Sequence, residues 1–492
     1  MTIGNLLYRQ ENNTKIALKY GNRSISYEEW AYESKKLKSI ICKLIPNESK
    51  CIAIYLPNSI QYAIAYFGIL FSERVVIPID PQSKALEICS TVKYCEVDMI
   101  VSSNAYKHIF EKVSQICSNR VIVYYIDTQE KIEYGKADFV QKTDNLLFSH
   151  VLSDVAIMLH TSGTTSDPKR VMLTHRNIIS NIESNIKSLG LKEDDISLIA
   201  LPMYFGYCNT AQFLTHVYLG GTIVILNTIF LPKQFWGVVE KENITNFTAV
   251  PSMLLMLVDY RYYKKYNYSS LKYICFGGGT MALEKLKILI KRFPTISFIH
   301  TYGQTECSPR ITALLSEDSL RKIGSVGKAI PGVRVNIVDQ NDNQLEAGER
   351  GEIVVEGDNI MKGYYKKPKF TSDILRNNLL HTGDIGYFDE EGYLYITGRK
   401  KNVIISGGVN IYPEEIEMII LSYEGVKNAL VLGESHNLLG EVPIAKVIVD
   451  DSVNIDELRK YCLKQLAGYK IPVRFDKVMK LQKTYNGKNK RE

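Results

Sequence analysis

Residues 155–169 read VAIMLHTSGTTSDPK, an apolar run that empties into a loop of threonine, serine and glycine ending on a lysine. The run Val155 to Leu159 predicts a buried strand. The loop behind it presents backbone N–H groups and hydroxyls to a phosphate, and Lys169 adds a point charge. It is not a Walker loop: Gly163 and Lys169 are spaced G-x5-K, and none of the Gly-Lys pairs at Gly135, Gly327 and Gly487 is followed by Ser or Thr. Taken alone, the segment also reads as a polar surface turn.

Upstream and downstream, the same kind of strand recurs. Ile52 to Leu56, Val75 to Ile79, Met99 to Val101, Val121 to Ile126, Ile223 to Leu226, Phe247 to Val250, Tyr273 to Phe276 and Ile296 to Ile299 are short apolar runs separated by longer helical patterns. Such alternation predicts an α/β protein with doubly wound sheets. From Val326 to about Gly398 the strands crowd together with short turns, as in VRVNIVD from Val333 and GYLYITG from Gly392, which predicts a small antiparallel β unit. Beyond Gly398 a helix from Glu414, strands near Ala429 and Ile444, and a helix from Asn454 predict a small C-terminal α+β domain. The expected organisation is a large domain over 1–398, a hinge at 399–402 and a small mobile domain over 403–492.

Composition narrows the function classes. A chain of 492 residues with 45% hydrophobic and 23% charged residues can bury a large core. Its formal charge of +7 could signal nucleic acid, a membrane surface or a phosphate-rich substrate. Position decides: Lys470–Glu492 holds eight cations and two anions, so +6 of the surplus sits in the tail and no general basic surface remains. Nucleic acid is therefore not an expected partner. The uncharged stretch Ile196 to Pro232 is broken by Pro202, Gly206, Asn209, Gly220, Gly221 and Asn227, which predicts strand, loop, helix and strand, with no membrane insertion. Nine scattered cysteines without a Cys-x-x-Cys pair, and an N-terminus without a basic and apolar leader, lead us to expect a reduced, cytoplasmic protein without structural zinc.

Four further motifs follow the phosphate loop. TYGQTE begins at Thr301, at the end of a predicted strand, where open α/β sheets bind ligands. HTGDIG begins at His381, GRKKNVIISGGVNIYPEEIE at Gly398, and KTYNGK at Lys483. With all five in this order, the chain resembles the adenylate-forming superfamily of acyl-CoA synthetases, luciferases and stand-alone adenylation enzymes, from SYEEW at Ser26 to Lys488.

The resemblance implies a site, residue by residue. Thr161, Ser162, Gly163, Thr164, Thr165 and Lys169 would hold the ATP β- and γ-phosphates. Gly277, Gly278 and Gly279 would flank the adenine and acyl pocket. Tyr302, followed by Gly303, would stack on adenine, Thr305 would touch the α-phosphate, and Glu306 would hold Mg2+. Asp384 and Arg399 would meet the ribose. Lys488 would bridge the carboxylate and α-phosphate, and Lys401 would be the hinge about which Ser406, Gly407 and Gly408 turn inward for attack by a thiol. The implied reaction is ATP-dependent activation of a small carboxylic acid to acyl-AMP, then transfer to coenzyme A. The alternatives are loading onto the phosphopantetheine of an acyl or peptidyl carrier protein, and, in a different class, a lapsed member that binds nucleotide without turnover.

The chain departs from the family pattern in places. Ser166 and Arg170 stand where the loop usually has glycine, Gln482 where KT is usually preceded by proline, and Phe205 in LPMYFGY where many acyl-CoA synthetases have histidine. No acid stands in that stretch for an α-amino group, which argues against an amino-acid substrate. Tyr204, Phe205 and Tyr207, with the three glycines and with Thr301 and Cys307 to Arg310 beyond, are the expected pocket wall, suited to an aryl or medium-sized acyl group. Arg310 reads either as facing a polar substituent of the acid or, as a single arginine more often does, as a surface ion-pair residue.

Overall fold

The structure, a computed structural model, describes residues 1–46, 50–134, 151–160, 169–226, 228–279, 281–482 and 489–491. Two large sheets form the bulk of the N-terminal part. One has eight strands, with Val155–His160, Val75–Pro78, Cys51–Tyr55, Val97–Ser102 and Val121–Tyr125 at its parallel centre. The other has nine, with Ser297–Gly303, Tyr273–Gly277, Asn246–Ala249, Ile196–Ile199, Thr222–Ile225 and Ile16–Tyr20 running parallel. Every strand expected from an apolar run is present. The strand Cys51–Tyr55 is buried along its whole length, as a strand covered by helices on both faces must be.

Antiparallel strands close the edges, and these were not read from the sequence. Ile16–Tyr20 and Arg23–Ser26 make a hairpin, Arg170–Thr174 pairs with Val155–His160, and Arg310–Leu314 pairs with Ser297–Gly303. The helix Tyr27–Leu44 then starts at Ser26, whose side chain accepts from Glu29 N while the Glu29 carboxylate accepts from Ser26 N, a capping box. This helix and Ile60–Phe71 fill the space between the large sheets. Trp30 stands edge-on to Phe67 at 5.1 Å and lies 5.9 Å from Phe213, all fully buried, each worth about 2–3 kcal/mol of apolar burial.

The predicted antiparallel unit is Val333–Val338, Gly351–Gly357, Leu379–Phe388, Leu375–Arg376 and Leu394–Arg399. After the short 3-10 turn Lys400–Asn402 comes a separate sheet of Ile404–Ser406, Val409–Ile411, Val426–His436, Gly440–Val449 and Arg474–Lys477. Helices Pro413–Leu421 and Ile455–Gln465 pack on it over Ile416, Ile420, Val431, Ala445 and Leu458. Asn454 caps the second helix, its Oδ1 accepting from Asp456 N at 2.8 Å. Ile196 to Pro232 resolves into strand, short helices and strand, and no helix among the described residues is long and apolar enough to cross a membrane.

Candidate active site

Adjacent parallel strands Tyr273–Gly277 and Ser297–Gly303 end side by side, with Gly277 opposite Thr301. Neither glycine has room for a side chain: a Cβ at Gly277 would stand 2.3 Å from the Thr301 carbonyl oxygen, and one at Gly303 would stand 1.7 Å from that of Pro309. Gly278 follows at φ +81°, a conformation that L side chains rarely adopt. Carboxyl ends of strands with close-approaching backbone are where this class of sheet holds ligands.

Asp384 is the hub of the site. It lies on Leu379–Phe388, opposite Arg399 in the ladder, and is only 3% exposed. Its Oδ2 accepts from the Tyr302 hydroxyl and from Gln304 Nε2, both at 2.7 Å, and its Oδ1 meets Arg399 Nε at 2.8 Å. A carboxylate offers about four lone-pair sites, so three donors leave one for a ligand hydroxyl. Asp384 makes Arg399 hold its proton more tightly than usual, whereas burial, and then Asp384, push the Tyr302 phenol well above its ordinary range. Both side chains therefore keep their protons at working pH.

A second group forms around Tyr364. Its hydroxyl donates to Glu306 Oε1 at 2.8 Å, and Lys169 Nζ lies 5.0 Å from its ring centre and 4.5 Å from that of Phe370. Lys169, at the end of the expected phosphate loop, and the acid of TYGQTE are thus linked through one tyrosine. Thr305 opens the short 3-10 helix beside Glu306, and a Cβ on Gly206 would come within 3.6 Å of it, which brings the LPMYFGY loop against the motif. Glu306 suits a magnesium ion delivered with a nucleoside triphosphate, because Mg2+ commonly takes one or two carboxylates plus phosphate oxygens. Among the described residues no cluster of three or more His, Cys, Asp or Glu forms a cage of its own.

Among the expected pocket residues, Tyr207 is tied to the strand end through Thr301, the residue opposite Gly277. The Tyr207 hydroxyl meets Thr301 Oγ1 at 2.8 Å, Tyr204 donates to Asp80 Oδ1 at 3.0 Å, and the Tyr204 and Phe205 rings pack edge-on at 4.9 Å. Arg310 is a correction. It is 2% exposed, among the largest fully buried side chains, because the unforeseen strand Arg310–Leu314 carries it inward. Arg170 is likewise buried in a strand and donates to Thr91 Oγ1 at 2.7 Å, so it does not belong to the loop. Opposite it, burial and the Arg170 charge push His160 down to about 4, so that histidine stays neutral.

Thr161 to Thr165, Ser166 and Lys488 lie outside the described residues. Ser406, Gly407 and Gly408 form the tip of a two-residue hairpin, with Gly407 at φ +57° and Gly408 at φ +81°, the paired positive angles such a turn requires. Its backbone bond from Gly407 N goes to Leu439 O within the C-terminal sheet. Lys401 is exposed in the turn Lys400–Asn402. Beside it Lys400 Nζ meets Glu352 Oε2 at 2.9 Å, an ion pair that ties the turn to the antiparallel unit. Sequence reasoning missed Tyr364, Phe370 and Gln304. Their signal was faint: aromatic residues in the lysine-rich turn from Gly363 to Phe370, and an amide inside an already noted motif.

With two doubly wound sheets and a cluster of Tyr302, Gln304, Asp384 and Arg399 at the end of a parallel strand, the chain has the architecture of a nucleotide-dependent enzyme. Residues 8–365 match the model of the AMP-binding enzyme family, and residues 415–488 match that of the AMP-binding enzyme C-terminal domain; the chain belongs to this family. It is 36% identical over 478 residues to the 2-succinylbenzoate–CoA ligase of Bacillus licheniformis, covering 96% of this chain and 95% of that one. It is 30% identical over 459 residues to a long-chain-fatty-acid–CoA ligase of Escherichia coli, covering 86% of this chain and 80% of the relative. Among solved structures, the o-succinylbenzoate CoA synthetase of Bacillus subtilis in complex with its acyl-adenylate intermediate superposes with a TM-score of 0.85 at 27% identity, over 99% of this chain and 97% of that one. The expected α/β architecture, a large N-terminal part of parallel sheets and a smaller C-terminal one, is the fold of this family.

Proposed function

We propose that this protein is an AMP-forming acid–thiol ligase: it joins a carboxylic acid to the α-phosphate of ATP with release of pyrophosphate, then passes the acyl group to the thiol of coenzyme A. The observation that carries this reading is the convergence of Tyr302, Gln304 and Arg399 on the Asp384 carboxylate, together with the Glu306–Tyr364–Lys169 group, in a chain whose relatives are CoA ligases.

In the first step a carboxylate oxygen attacks the α-phosphorus and the bond to pyrophosphate breaks. Two unit charges 4 Å apart repel by about 4 kcal/mol at an effective dielectric of 20, so cations must offset the approach. Lys169 supplies one toward the β- and γ-phosphates, and Lys488 is assigned the other, between the carboxylate and the α-phosphate. Thr305 would donate to an α-phosphate oxygen, Asp384 would accept from ribose hydroxyls, and Tyr302 would cover the base. A magnesium ion bound with ATP would neutralise phosphate charge next to Glu306. In the second step the thiol sulfur attacks the acyl carbon, its proton leaves, and the bond to AMP breaks. For that step the small domain turns about Lys401 and presents the hairpin Ser406 to Gly408. A junction of one short 3-10 turn between two packed sheets suits such a motion.

All nine cysteines are free thiols, in keeping with a reduced compartment such as the cytoplasm. The decisive experiment is ATP–pyrophosphate exchange across a panel of carboxylic acids, followed by acyl transfer to coenzyme A and, separately, to a pantetheinylated carrier protein. Acid-dependent exchange with transfer to coenzyme A is expected. Transfer to the carrier alone would reassign the acceptor, and no exchange with any acid would leave a nucleotide-binding protein without turnover.

A further inference from the structure

The turn that carries Thr305 and Glu306 is held from two sides by buried amides. Asn181, on the helix His175–Leu189, and Asn359, just past the strand Gly351–Gly357, are both fully buried. Each donates its Nδ2 to the Cys307 carbonyl oxygen, at 3.3 and 3.0 Å. Asn181 Nδ2 also donates to the Arg310 carbonyl oxygen at 2.8 Å, and its Oδ1 accepts from Arg310 N at 3.3 Å, so one side chain closes the far end of the turn as well. One turn earlier on the same helix, Asn177 Nδ2 donates to the Asp358 carbonyl oxygen at 2.8 Å.

The segment from Asn359 to Tyr364 grips the same turn at three points. Besides the Asn359 amide, Met361 N donates to the Glu306 carbonyl oxygen at 2.9 Å, and the Tyr364 hydroxyl donates to Glu306 Oε1 at 2.8 Å. Its other edge pairs with the strand Arg170–Thr174, Gly363 opposite Met172 and Tyr364 opposite Val171. Glu306 is thereby fixed at backbone and side chain against the strand that follows Lys169 in the chain.

This arrangement is not the most stable one available. Asn359 Oδ1 is buried without a partner, and so is Ser308 Oγ, in a residue held at φ +64° in the middle of the turn. A buried acceptor left unpaired costs free energy that an apolar side chain would not, and strained backbone persists where its surroundings over-determine it. What is set against that cost is the grip on the carbonyl one residue past Glu306. We infer that Asn181 and Asn359 are positioning residues of the nucleotide site: by fixing the Cys307 carbonyl from two elements, they hold the turn in the shape that aims the Glu306 carboxylate at a magnesium ion delivered with ATP. Each acts through Glu306 rather than on the nucleotide. Loss of either donor frees the turn, and part of the binding free energy of magnesium and ATP then goes into ordering it. This inference rests on the assignment of Glu306 to magnesium above.

The test reads ATP binding by calorimetry across a magnesium titration, which needs no acid, beside pyrophosphate exchange and thermal melting. Asn359→Ala and Asn181→Ala should each raise the magnesium concentration at half-saturation by about 3- to 10-fold, the size of one ordinary hydrogen bond. KM for ATP should rise with it while KM for the acid stays unchanged. That split, and not a fall in melting temperature, is the expected signature. Asn359→Ala, which removes an unpartnered oxygen along with the donor, decides the matter should Asn181→Ala, which loses three bonds, fail to fold. An unchanged magnesium half-saturation in Asn359→Ala, whatever its melting temperature, marks a purely structural amide and overturns the inference; so does a rise matched by an equal change in KM for the acid. Absence of exchange with every acid overturns the ligase reading while the binding titration still decides the positioning role. Absence of magnesium-dependent ATP binding in the unmodified protein overturns both.

Discussion

The Tyr302 hydroxyl donates to Asp384 Oδ2 at 2.7 Å across 82 residues of sequence, joining the end of a parallel strand in the nine-stranded sheet to the middle of the antiparallel unit. This one bond brings two motifs that are weak alone into a single site, and it orients a buried carboxylate whose other donors are Gln304 and Arg399.

Tyr302→Phe keeps the ring and deletes the donor. The expected cost is about 1–3 kcal/mol, because a buried carboxylate loses one partner. We expect a lower melting temperature and a raised KM for ATP, measured by thermal denaturation and by pyrophosphate exchange at fixed acid. An unchanged KM would separate Asp384 from the nucleotide.

Tyr364 carries two loads, the bond to Glu306 and the aromatic face under Lys169. Tyr364→Phe removes only the first and Tyr364→Leu removes both. A cation over an aromatic ring contributes about 0.5–2 kcal/mol, more where the pair is shielded from water, and Tyr364 is buried, so the leucine variant should lose a further few-fold or more in exchange rate. Glu306→Gln should shift the magnesium dependence of exchange to higher concentration, whereas neither Tyr364 variant should shift it as far.

Lys488→Ala should greatly reduce adenylation and leave thiol transfer from supplied acyl-AMP largely intact. Equal loss of both half-reactions would contradict a mechanism in which the small domain turns about Lys401 between the steps.

Glu417 is buried in the C-terminal domain, where its Oε1 accepts from Val431 N at 2.7 Å and its Oε2 meets Arg491 Nη2 at 2.9 Å. Burial raises it from 4.5 to about 7, the arginine opposing. Between those values the folded form binds more protons than the unfolded one, so this group's contribution to stability falls as pH rises through that window. Melting curves from pH 4.5 to 7.5 should show a downward component that Glu417→Gln removes.

Gly303→Ala would place a methyl 1.7 Å from the Pro309 carbonyl oxygen, and the backbone must move to admit it. The expected destabilisation is about 3 kcal/mol, read as a fall in melting temperature together with loss of nucleotide binding.

What was legible in the chain follows from what burial does to local sequence. A parallel strand covered on both faces must be apolar at nearly every position, so Cys51–Tyr55, Val75–Pro78 and Tyr273–Gly277 show themselves as unbroken runs. The capping box at Ser26 and the cap at Asn454 are equally local, since donor and acceptor sit within three residues. Arg170–Thr174 and Arg310–Leu314 each begin with an arginine, and only a strand partner elsewhere makes a strand of them.

The sequence by itself determined the alternation of strand and helix, the order of the motifs and the separate small domain at the end, because each is written in neighbouring residues. Only the tertiary structure decided that Arg310 is buried and without a carboxylate partner among the described residues, that Tyr364 stands between Lys169 and Glu306, and that Asp384 is held from two sheets at once. Those relations join residues tens to hundreds of positions apart. Their strength depends on distance and on exclusion of water, and neither quantity exists until the chain has folded.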